Sequence, residues 1–422
     1  MTEDNIIAAD RAHVWHPYTQ HATAPVPLEI VAARDSYLLS RDGRRILDMI
    51  SSWWVTLHGH GEPSIVEAIS KQCKKLEQVI FTSFTHEPAA LLAAELCRVL
   101  PAGLTRVFFS DDGSTAVEAA LKMAIQLWHN RGERRTTIVA VENSYHGDTF
   151  GAMSASARGV FTAPFRGNLF DAIYLPGPPD GDTAGALENL LNDSAHSIAA
   201  IIVEPMLQGA GGMRMWNAAT LEAIARQAKS HRIPLIADEV LTGFGRTGPL
   251  FACEHAAISP DIICLSKGIT GGFLPLGATV ATEEIFEGFS STDRARMLFH
   301  GHSYTANPIA CAAARASLAL LDQDSRSRRL AIEAAHRAGL DRVRGHPVAR
   351  NLRLLGTVAA FDLGDGTDYL RPVGLELARF ALDRNVLLRP LGNVVYLLPP
   401  YCTTAEQLAE AYDAIVAFLE TL

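Results

Sequence analysis

Residues 261–272, DIICLSKGITGG, contain the pattern that decides the fold class: an apolar run that ends at a lysine, Lys267, and is followed by glycines. Similar apolar runs occur at 105–110 (TRVFFS), 136–142 (TTIVAVE), 199–205 (AAIIVEP) and 233–240 (IPLIADEV). Between the first two of these, residues 115–128 have the spacing of an amphipathic helix. Strands that are apolar throughout are typical of parallel sheets with helices on both faces. The sequence therefore predicts an α/β protein whose large domain holds a mainly parallel sheet covered by helices.

The two ends of the chain have a different pattern. Residues 36–49 predict two strands around Asp42 and Gly43, a pair suited to a tight hairpin turn. After about residue 320, a charged helical stretch at 324–345 is followed by three short strands and a last helix from Thr404. We expect residues 61–320 to form the large domain and 321–422 a C-terminal small α+β domain. Residues 1–60 are expected to belong to the small domain and to form a wall of the active site.

Composition narrows the class of ligand. The 422 residues carry a formal net charge of -9, and 48% of them are apolar. Nucleic acids and anionic membranes attract lysine and arginine clusters, so small molecules are the expected ligands. The acidic start and the lack of an apolar run of about 20 residues predict a cytoplasmic protein. The six cysteines form no CxxC pair, so neither disulfides nor zinc is expected.

Three features follow predicted strands at the edge where open α/β sheets bind ligands: Lys267, Asp238 and the stretch DDGST at 111–115. A desolvated lysine amine can form an imine with an aldehyde, and a carboxylate can keep a pyridine nitrogen protonated. Gly113 and Ser114 open a helix, whose free N–H groups favour a phosphate. Together the three describe pyridoxal 5′-phosphate. Taken alone, the start of the helix is better explained by helix capping through Thr115 and Glu118 than by a phosphate site. Asp238 taken alone could equally be an ordinary loop residue.

Two other motifs invite functional readings that we do not favour. GFGRTG at 243–248 matches GxGxxG, but it does not open a periodic helix, so a dinucleotide site is not expected. The HGH pairs at 58–60 and 300–302 have no adjacent cysteine or carboxylate set, so they are interpreted as loop residues rather than metal ligands.

With these residues assembled, the chain resembles the class III, fold type I pyridoxal-phosphate aminotransferases over nearly its full length. The motifs that carry this resemblance stand in the family's order: IIVEPMLQGAGGM (201–213), IADEVLTGFGRTG (236–248), ICLSKGITGG (263–272) and HGHSYTANP (300–308). The resemblance implies a homodimer with shared active sites. It also implies cofactor-binding roles for Lys267, which would bind the cofactor covalently and shuttle a proton, and for Asp238, Tyr145, Val240, Gly113, Ser114 and, from the second subunit, Ser303.

Further segments resemble the branch of the family that uses S-adenosylmethionine and 8-amino-7-oxononanoate in biotin synthesis. These are WHPYT (15–19), MISSWWVTLHGH (49–60) and RPLGNVVYLLPPY (389–401). By this resemblance Arg389 would bind the carboxylate of the oxo acid, and Tyr18 would contribute to catalysis as well as to binding. The substrate-binding residues implied are Tyr18, Trp53, Trp54, Tyr145, Lys267, Gly301, Arg389 and Tyr396.

Several alternatives remain open at this level. The two tryptophans could belong to the core, Arg389 could form a surface ion pair, and Arg246 is a rival for the carboxylate. Glu204 and Asp148 are expected only to support the residues that touch the ligands. Leu241 after DEV is typical of the same branch, whereas His302 stands where that branch commonly has proline. The amino donor could therefore instead be lysine or an ω-amino acid, and an aminomutase or an inactive cofactor-binding protein are further alternatives.

Overall fold

The N-terminal part of the chain forms a small antiparallel hairpin sheet. The structure is a computed structural model that describes residues 6–422. Helix α1 (Ile6–His13) is followed by strands β1 (Ile30–Arg34), β2 (Tyr37–Ser40) and β3 (Arg45–Asp48). Strands β2 and β3 pair on either side of the predicted turn, where Gly43 has a φ of 85°. A distorted turn of helix, α2 (Ser51–Trp54), comes next, and its residue Ser52 has a φ of 60°.

A seven-stranded sheet forms the centre of the next region. Its strands are β4 (Leu104–Ser110), β5 (Thr137–Val141), β6 (Ala172–Leu175), β7 (Ile198–Val203), β10 (Leu235–Asp238), β11 (Ile262–Leu265) and β12 (Gly277–Thr282), in the order β4-β12-β11-β10-β7-β5-β6. Strand β12 runs antiparallel to both of its neighbours, and the pairs among β11, β10, β7, β5 and β6 are parallel. The predicted α/β fold with a mainly parallel sheet is thus confirmed. A separate two-stranded ribbon consists of β8 (Leu207–Gln208) and β9 (Arg214–Met215).

Helices cover both faces of this sheet, which explains its continuous apolar strands. Strand β7 is buried along its whole length: Ile198, Ile201 and Val203 join one core cluster, and its other residues, Ala199, Ala200 and Ile202, join another. The helices of this region are α3 (Pro63–Cys73), α4 (Glu87–Val99), α5 (Gly113–Asn130), α6 (Phe150–Ala155), α7 (Thr183–Ser194), α8 (Ala218–Ser230), α9 (Glu283–Glu287) and α10 (Pro308–Ala319).

The C-terminal part folds back onto the N-terminal hairpin. It consists of α11 (Gln323–Val343), β13 (Ala349–Leu355), β14 (Val358–Leu363), α12 (Val373–Leu382), β15 (Val386–Leu387), β16 (Val394–Leu397) and α13 (Ala405–Leu419). Strands β13, β14 and β16 form one sheet, and β15 pairs in parallel with β3. We propose the domain boundaries 1–60, 61–320 and 321–422, as expected from the sequence. The seven-stranded sheet supports them, because it uses only residues between 104 and 282. Within residues 6–422, no helix is long and apolar enough to cross a membrane.

The motif GFGRTG forms a buried junction between the two ends of the chain and the large domain. Gly245 and Gly248 have φ values of 99° and 114°, so the motif turns tightly rather than opening a helix. The Arg246 guanidinium is buried and donates hydrogen bonds to the carbonyls of Pro399 (2.9 Å), Thr56 (3.2 Å) and Trp54 (3.4 Å). These contacts give Arg246 a structural role, and they favour Arg389 over it as the carboxylate ligand.

We expect Arg246→Met to lower the free energy of unfolding by about 3 kcal/mol or more, because buried carbonyls would lose charged donors. Chemical denaturation followed by circular dichroism measures this change. The matched control is Arg226→Met, since Arg226 is 71% exposed and only 4.0 Å from Glu222 in a surface ion pair. Equal destabilisation by the two variants would contradict the structural role of Arg246.

Candidate active site

Lys267 directly follows Ser266 at the end of β11, where its side chain lines a cavity of about 430 Å3. Its φ of 43° lies in the left-handed region that non-glycine residues seldom adopt, and such strain is often found at functional sites. The amine nitrogen lies 4.6 Å from the centre of the Trp54 ring. Desolvation lowers the pKa of Lys267 to about 8, while the carboxylates of Asp238 and Glu204 act in the opposite direction. The amine is therefore neutral far more readily than that of a surface lysine.

The glycines after Lys267 let another segment pack against it. A Cβ at Gly268 would lie 2.9 Å from the Leu57 side chain, and one at Gly272 would lie 2.9 Å from the Cα of Thr56. Side chains at these two positions would therefore push away the segment that follows Trp54. The glycines allow that segment to close one side of the cavity.

Asp238 lies at the end of β10 and is held by a histidine. The imidazole Nδ1 of His146 donates to a carboxylate oxygen of Asp238 over 2.7 Å, and the N–H of Val240 donates to the other oxygen over 3.1 Å. His146 is buried, and its Nε2 has no partner among the described residues. The sequence analysis did not identify His146. The signal was its place directly after Tyr145, on a loop that begins where β5 ends.

The start of helix α5 forms another wall of the cavity. Asp112 is the N-cap and forms a capping box with Thr115. The capping box expected from Thr115 and Glu118 was therefore wrong, because Thr115 occupies the third helical position and not the N-cap. Glu118 instead accepts hydrogen bonds from the N–H groups of residues 151 and 152.

Gly113 and Ser114 both line the cavity at this helix start. A Cβ on Gly113 would lie 2.7 Å from the Val240 side chain, so the glycine is what lets Val240 pack so closely. The Ser114 hydroxyl accepts a hydrogen bond from the N–H of Asp148 over 3.2 Å. The first N–H groups of a helix have no partner within the helix, and they favour an anion at this position.

Tyr145 lines the cavity and is positioned by a buried carboxylate. Its N–H donates to Glu204 over 2.9 Å, and the other oxygen of Glu204 accepts from the N–H of Gly209 over 2.9 Å. Burial raises the pKa of Glu204 to about 7. The Tyr18 hydroxyl donates to Asp148 over 2.5 Å, and burial and this hydrogen bond raise the pKa of Tyr18 to about 12. Glu204 thus holds the backbone of Tyr145, and Asp148 holds the side chain of Tyr18.

The two tryptophans have different environments, although they are adjacent in sequence. Trp54 is buried, lines the cavity and donates its indole N–H to the Tyr396 hydroxyl over 2.9 Å. Tyr396 is itself buried behind Trp54 and is not among the residues that line the cavity. Trp53 is 37% exposed, packs against Tyr18 and lies under the Arg389 guanidinium, 4.1 Å from the ring centre. Arg389 forms no ion pair among the residues described, which speaks against the surface-pair alternative.

The loop with Gly301 and Ser303 lies away from this cavity. Both residues are exposed, and the backbone carbonyl of Ser303 accepts a hydrogen bond from the Gln78 side chain. His302, the departure noted in the sequence, contacts Asp111 over 2.8 Å beside the start of α5. At the other HGH pair, His60 contacts Asp48 over 2.9 Å. Across residues 6–422, no three histidine, cysteine or carboxylate side chains are arranged to hold a metal ion.

The residues around the cavity fit pyridoxal phosphate. An amine with a lowered pKa, a carboxylate backed by a histidine and a helix N-terminus face the same space. They match the aldehyde, the pyridine nitrogen and the phosphate of that cofactor. Tyr145 and Val240 also line the cavity and offer an aromatic and an aliphatic surface for its ring.

Comparisons with known proteins agree with this arrangement. A relative from Synechococcus elongatus, named adenosylmethionine-8-amino-7-oxononanoate aminotransferase, is 52% identical over 97% of this chain and 99% of its own length. A relative of the same name from Mycobacterium leprae is 41% identical over 99% of this chain and 97% of its own. The crystal structure of the enzyme of that name from Methanocaldococcus jannaschii has a TM-score of 0.95 at 32% identity, covering 100% of this chain and 99% of its own.

The family assignment does not depend on any one relative. The model of the family described as aminotransferase class-III matches residues 18–419, which include every described residue discussed above for the cavity. The cofactor of this family is pyridoxal 5′-phosphate. The chain belongs to the class-III aminotransferase family.

Proposed function

We propose that the protein transfers an amino group from S-adenosylmethionine to 8-amino-7-oxononanoate, forming 7,8-diaminononanoate in biotin biosynthesis. The observation that carries the reaction type is the meeting of Lys267, Asp238 and the start of α5 in one cavity. The choice of substrates rests on the names of the relatives, two of which are 52% and 41% identical along the chain. It also rests on the WHPYT and SSWW segments, which contribute Tyr18, Trp53 and Trp54.

Lys267 would hold the cofactor and carry the proton. When bound, the cofactor supplies a carbonyl carbon that accepts the amino group and a ring that withdraws electrons. A lysine with a pKa of about 8 is partly neutral near pH 7, so it can take a proton from the α-carbon of the donor. The same amine would return that proton, since one group with a pKa near the working pH can both accept and donate it.

Asp238 would keep the pyridine nitrogen protonated, and His146 would orient the carboxylate through its hydrogen bond of 2.7 Å. Tyr145 and Val240 would enclose the two ring faces, and Gly113 and Ser114 would hold the phosphate. Tyr18 would act with Asp148 at the substrate side of Tyr145, and it would position the substrate during the proton transfer.

The active sites would be shared between two copies of the chain. Ser303 would reach the phosphate of the partner copy, and Gly301 would contact the partner's substrate. Large apolar side chains near this loop are more than half exposed, as expected of a surface that a second copy covers: Ile80, Phe84, Phe299 and Tyr304. The homodimer and the cytoplasmic location inferred from the sequence both stay proposals.

Mixing the purified holoenzyme with S-adenosylmethionine alone, and in parallel with lysine alone, tests the proposed function. We expect S-adenosylmethionine to change the visible absorbance of the bound cofactor within one turnover, and 8-amino-7-oxononanoate to restore it. Lysine should have no effect. Lys267→Ala is the control, which should bind the cofactor noncovalently but show no turnover. A response to lysine only would keep the family and change the donor, and a response to neither would favour an ω-amino acid.

Arg389→Gln should raise the KM for 8-amino-7-oxononanoate by about 10-fold to 100-fold, because a carboxylate would lose a charged hydrogen-bond donor. Steady-state kinetics at varied acceptor concentration measure this change. Arg384→Gln is the matched control, since the Arg384 guanidinium also covers an aromatic ring, Phe380, at 3.5 Å, but does so away from the cavity. The assignment of Arg389 fails if both variants give the same KM as the unaltered enzyme.

The amine of Lys267 in cofactor-free protein should react with an amine-directed reagent with a midpoint near pH 8. Peptide mass spectrometry after labelling at several pH values measures this midpoint, and a model peptide with a free lysine, whose pKa is about 10.4, is the reference. Asp238 favours the charged amine, so Asp238→Asn should lower the midpoint further. A midpoint for Lys267 equal to that of the lysine in the peptide would show that the amine is not desolvated.

A further inference from the structure

A loop of the large domain, residues 299–305, is fixed to helix α5 and to the residues just before it by polar contacts. The Lys122 ammonium donates to the first backbone carbonyl of the loop over 2.9 Å and lies 3.1 Å from Nδ1 of His300. The ring of His300 lies edge-on to that of His302, with centroids 5.0 Å apart. His302 in turn contacts the Asp111 carboxylate over 2.8 Å. The loop is therefore held along much of its length by one side of α5.

The contact between His302 and Asp111 is a hydrogen bond to a charged group. A carboxylate only accepts hydrogen bonds, so Nδ1 of His302 carries a proton and donates it. Hydrogen bonds to an ionised group are stronger than those between neutral groups. The His302 side chain is only 19% exposed, so water competes for its N–H less than at a surface histidine. The contact can therefore hold the two segments at a fixed spacing.

The loop is folded tightly around His302. The backbone N–H of His302 donates to the Thr305 hydroxyl over 3.0 Å, and its carbonyl accepts from the Thr305 N–H over 3.1 Å. The carbonyl of the next residue, Ser303, accepts from the Gln78 side chain over 2.7 Å. With this turn fixed, the direction of the Ser303 side chain depends on where His302 lies.

Asp111 connects the loop to the candidate phosphate site of its own chain. It directly follows β4 and lies two positions before Gly113, which lines the cavity. The N–H groups of Asp111 and Asp112 both donate to the Thr115 hydroxyl, over 3.2 Å and 2.9 Å. Asp111 thus belongs to the turn that directs the first N–H groups of α5. Its carboxylate would also repel a phosphate there, and the N–H of His302 reduces that repulsion.

The outer side of the loop lacks partners within residues 6–422. Ser303 is exposed, and Oε1 of Gln78 and Nε2 of His300 are buried without a hydrogen-bond partner among these residues. Buried polar atoms are nearly always paired in folded proteins. A second copy of the chain, as in the proposed homodimer, would supply the missing partners.

We propose that His302 is a positioning residue that joins the cofactor sites of the two copies in the dimer. Through Asp111 it holds the start of α5, which would bind the phosphate in its own copy. Through the turn at 302–305 it holds Ser303, which would reach the phosphate in the other copy. This inference rests on the proposed function, in which the two copies share their active sites, but it holds for any amino donor.

Dialysis of the holoenzyme against decreasing concentrations of pyridoxal phosphate tests this role. Borohydride then fixes the cofactor to Lys267, and mass spectrometry of the Lys267 peptide counts the occupied sites. We expect His302→Ala to raise the concentration that gives half-occupancy by about 10-fold, because a hydrogen bond to a charged group is lost. His302→Asn should bring it back to within about 3-fold of the unaltered enzyme, since its side-chain amide can donate from nearly the position of Nδ1.

The matched control is His231→Ala. Nδ1 of His231 lies 3.0 Å from the carbonyl of Gln227 at the end of α8, a helix that does not line the cavity. This variant also loses a partly buried histidine, and it should bind the cofactor as the unaltered enzyme does. Unchanged half-occupancy in His302→Ala, or a loss that His302→Asn does not reverse, would overturn the proposal.

Mixed dimers, isolated through two different affinity tags, separate the effects on the two sites. One copy carries Lys267→Ala, so borohydride labels only the site of the other copy. His302→Ala is placed either in the copy with intact Lys267 or in its partner. We expect both placements to weaken cofactor binding at the labelled site, the first through Asp111 and the second through Ser303. A loss from only one placement would contradict the joint role of His302.

Failure of the proposed function would give a different result. If light scattering shows that the holoenzyme is a monomer, the shared sites fail, and the joint role of His302 fails with them. If S-adenosylmethionine produces no half-reaction but both placements of His302→Ala weaken cofactor binding, the assigned amino donor is wrong and the role of His302 stands.

Discussion

Desolvation of a single amine is the constraint on which the rest of the site depends. An ammonium ion loses hydration when protein surrounds it, and the Lys267 amine responds with a pKa of about 8. Part of these surroundings comes from a distant part of the chain, because the Trp54 ring from the N-terminal part lies 4.6 Å from the amine. Asp238 limits the shift, because its charge favours the protonated amine. This balance keeps the pKa of Lys267 close to the working pH, where the amine can both accept and donate a proton.

The strand topology explains why so much of this site could be predicted from the sequence. Parallel strands end at the same edge of the sheet, so Lys267 after β11 and Asp238 at the end of β10 had to be neighbours once the strands were recognised. The apolar runs identified β4, β5, β7, β10 and β11. Strands β6 and β12 were not predicted. Strand β12 is GATVAT, whose small residues give a weak strand signal, although its burial is nearly complete.

The features that escaped prediction depend on contacts between residues far apart in sequence. His146 reaches Asp238 across 92 positions, and its place on the loop after β5 indicates the edge of the sheet but not this partner. Trp53 and Trp54 have different environments because of positive φ angles in a distorted helical turn, which the sequence did not predict.

The parallel pairing of β15 with β3 has a consequence for how the chain matures. Leu47 pairs with Val386, so the edge of β3 finds its partner only after almost the entire chain has left the ribosome. Contacts so distant in sequence form slowly, and an unpaired strand edge is prone to association with other chains. Trp54 follows β3 by a few residues, and Tyr396 follows β15 in the same way. A nascent chain therefore completes this wall of the catalytic cavity last. A prematurely terminated chain leaves the edge of β3 unpaired and prone to aggregation, so chaperones would have to shield it.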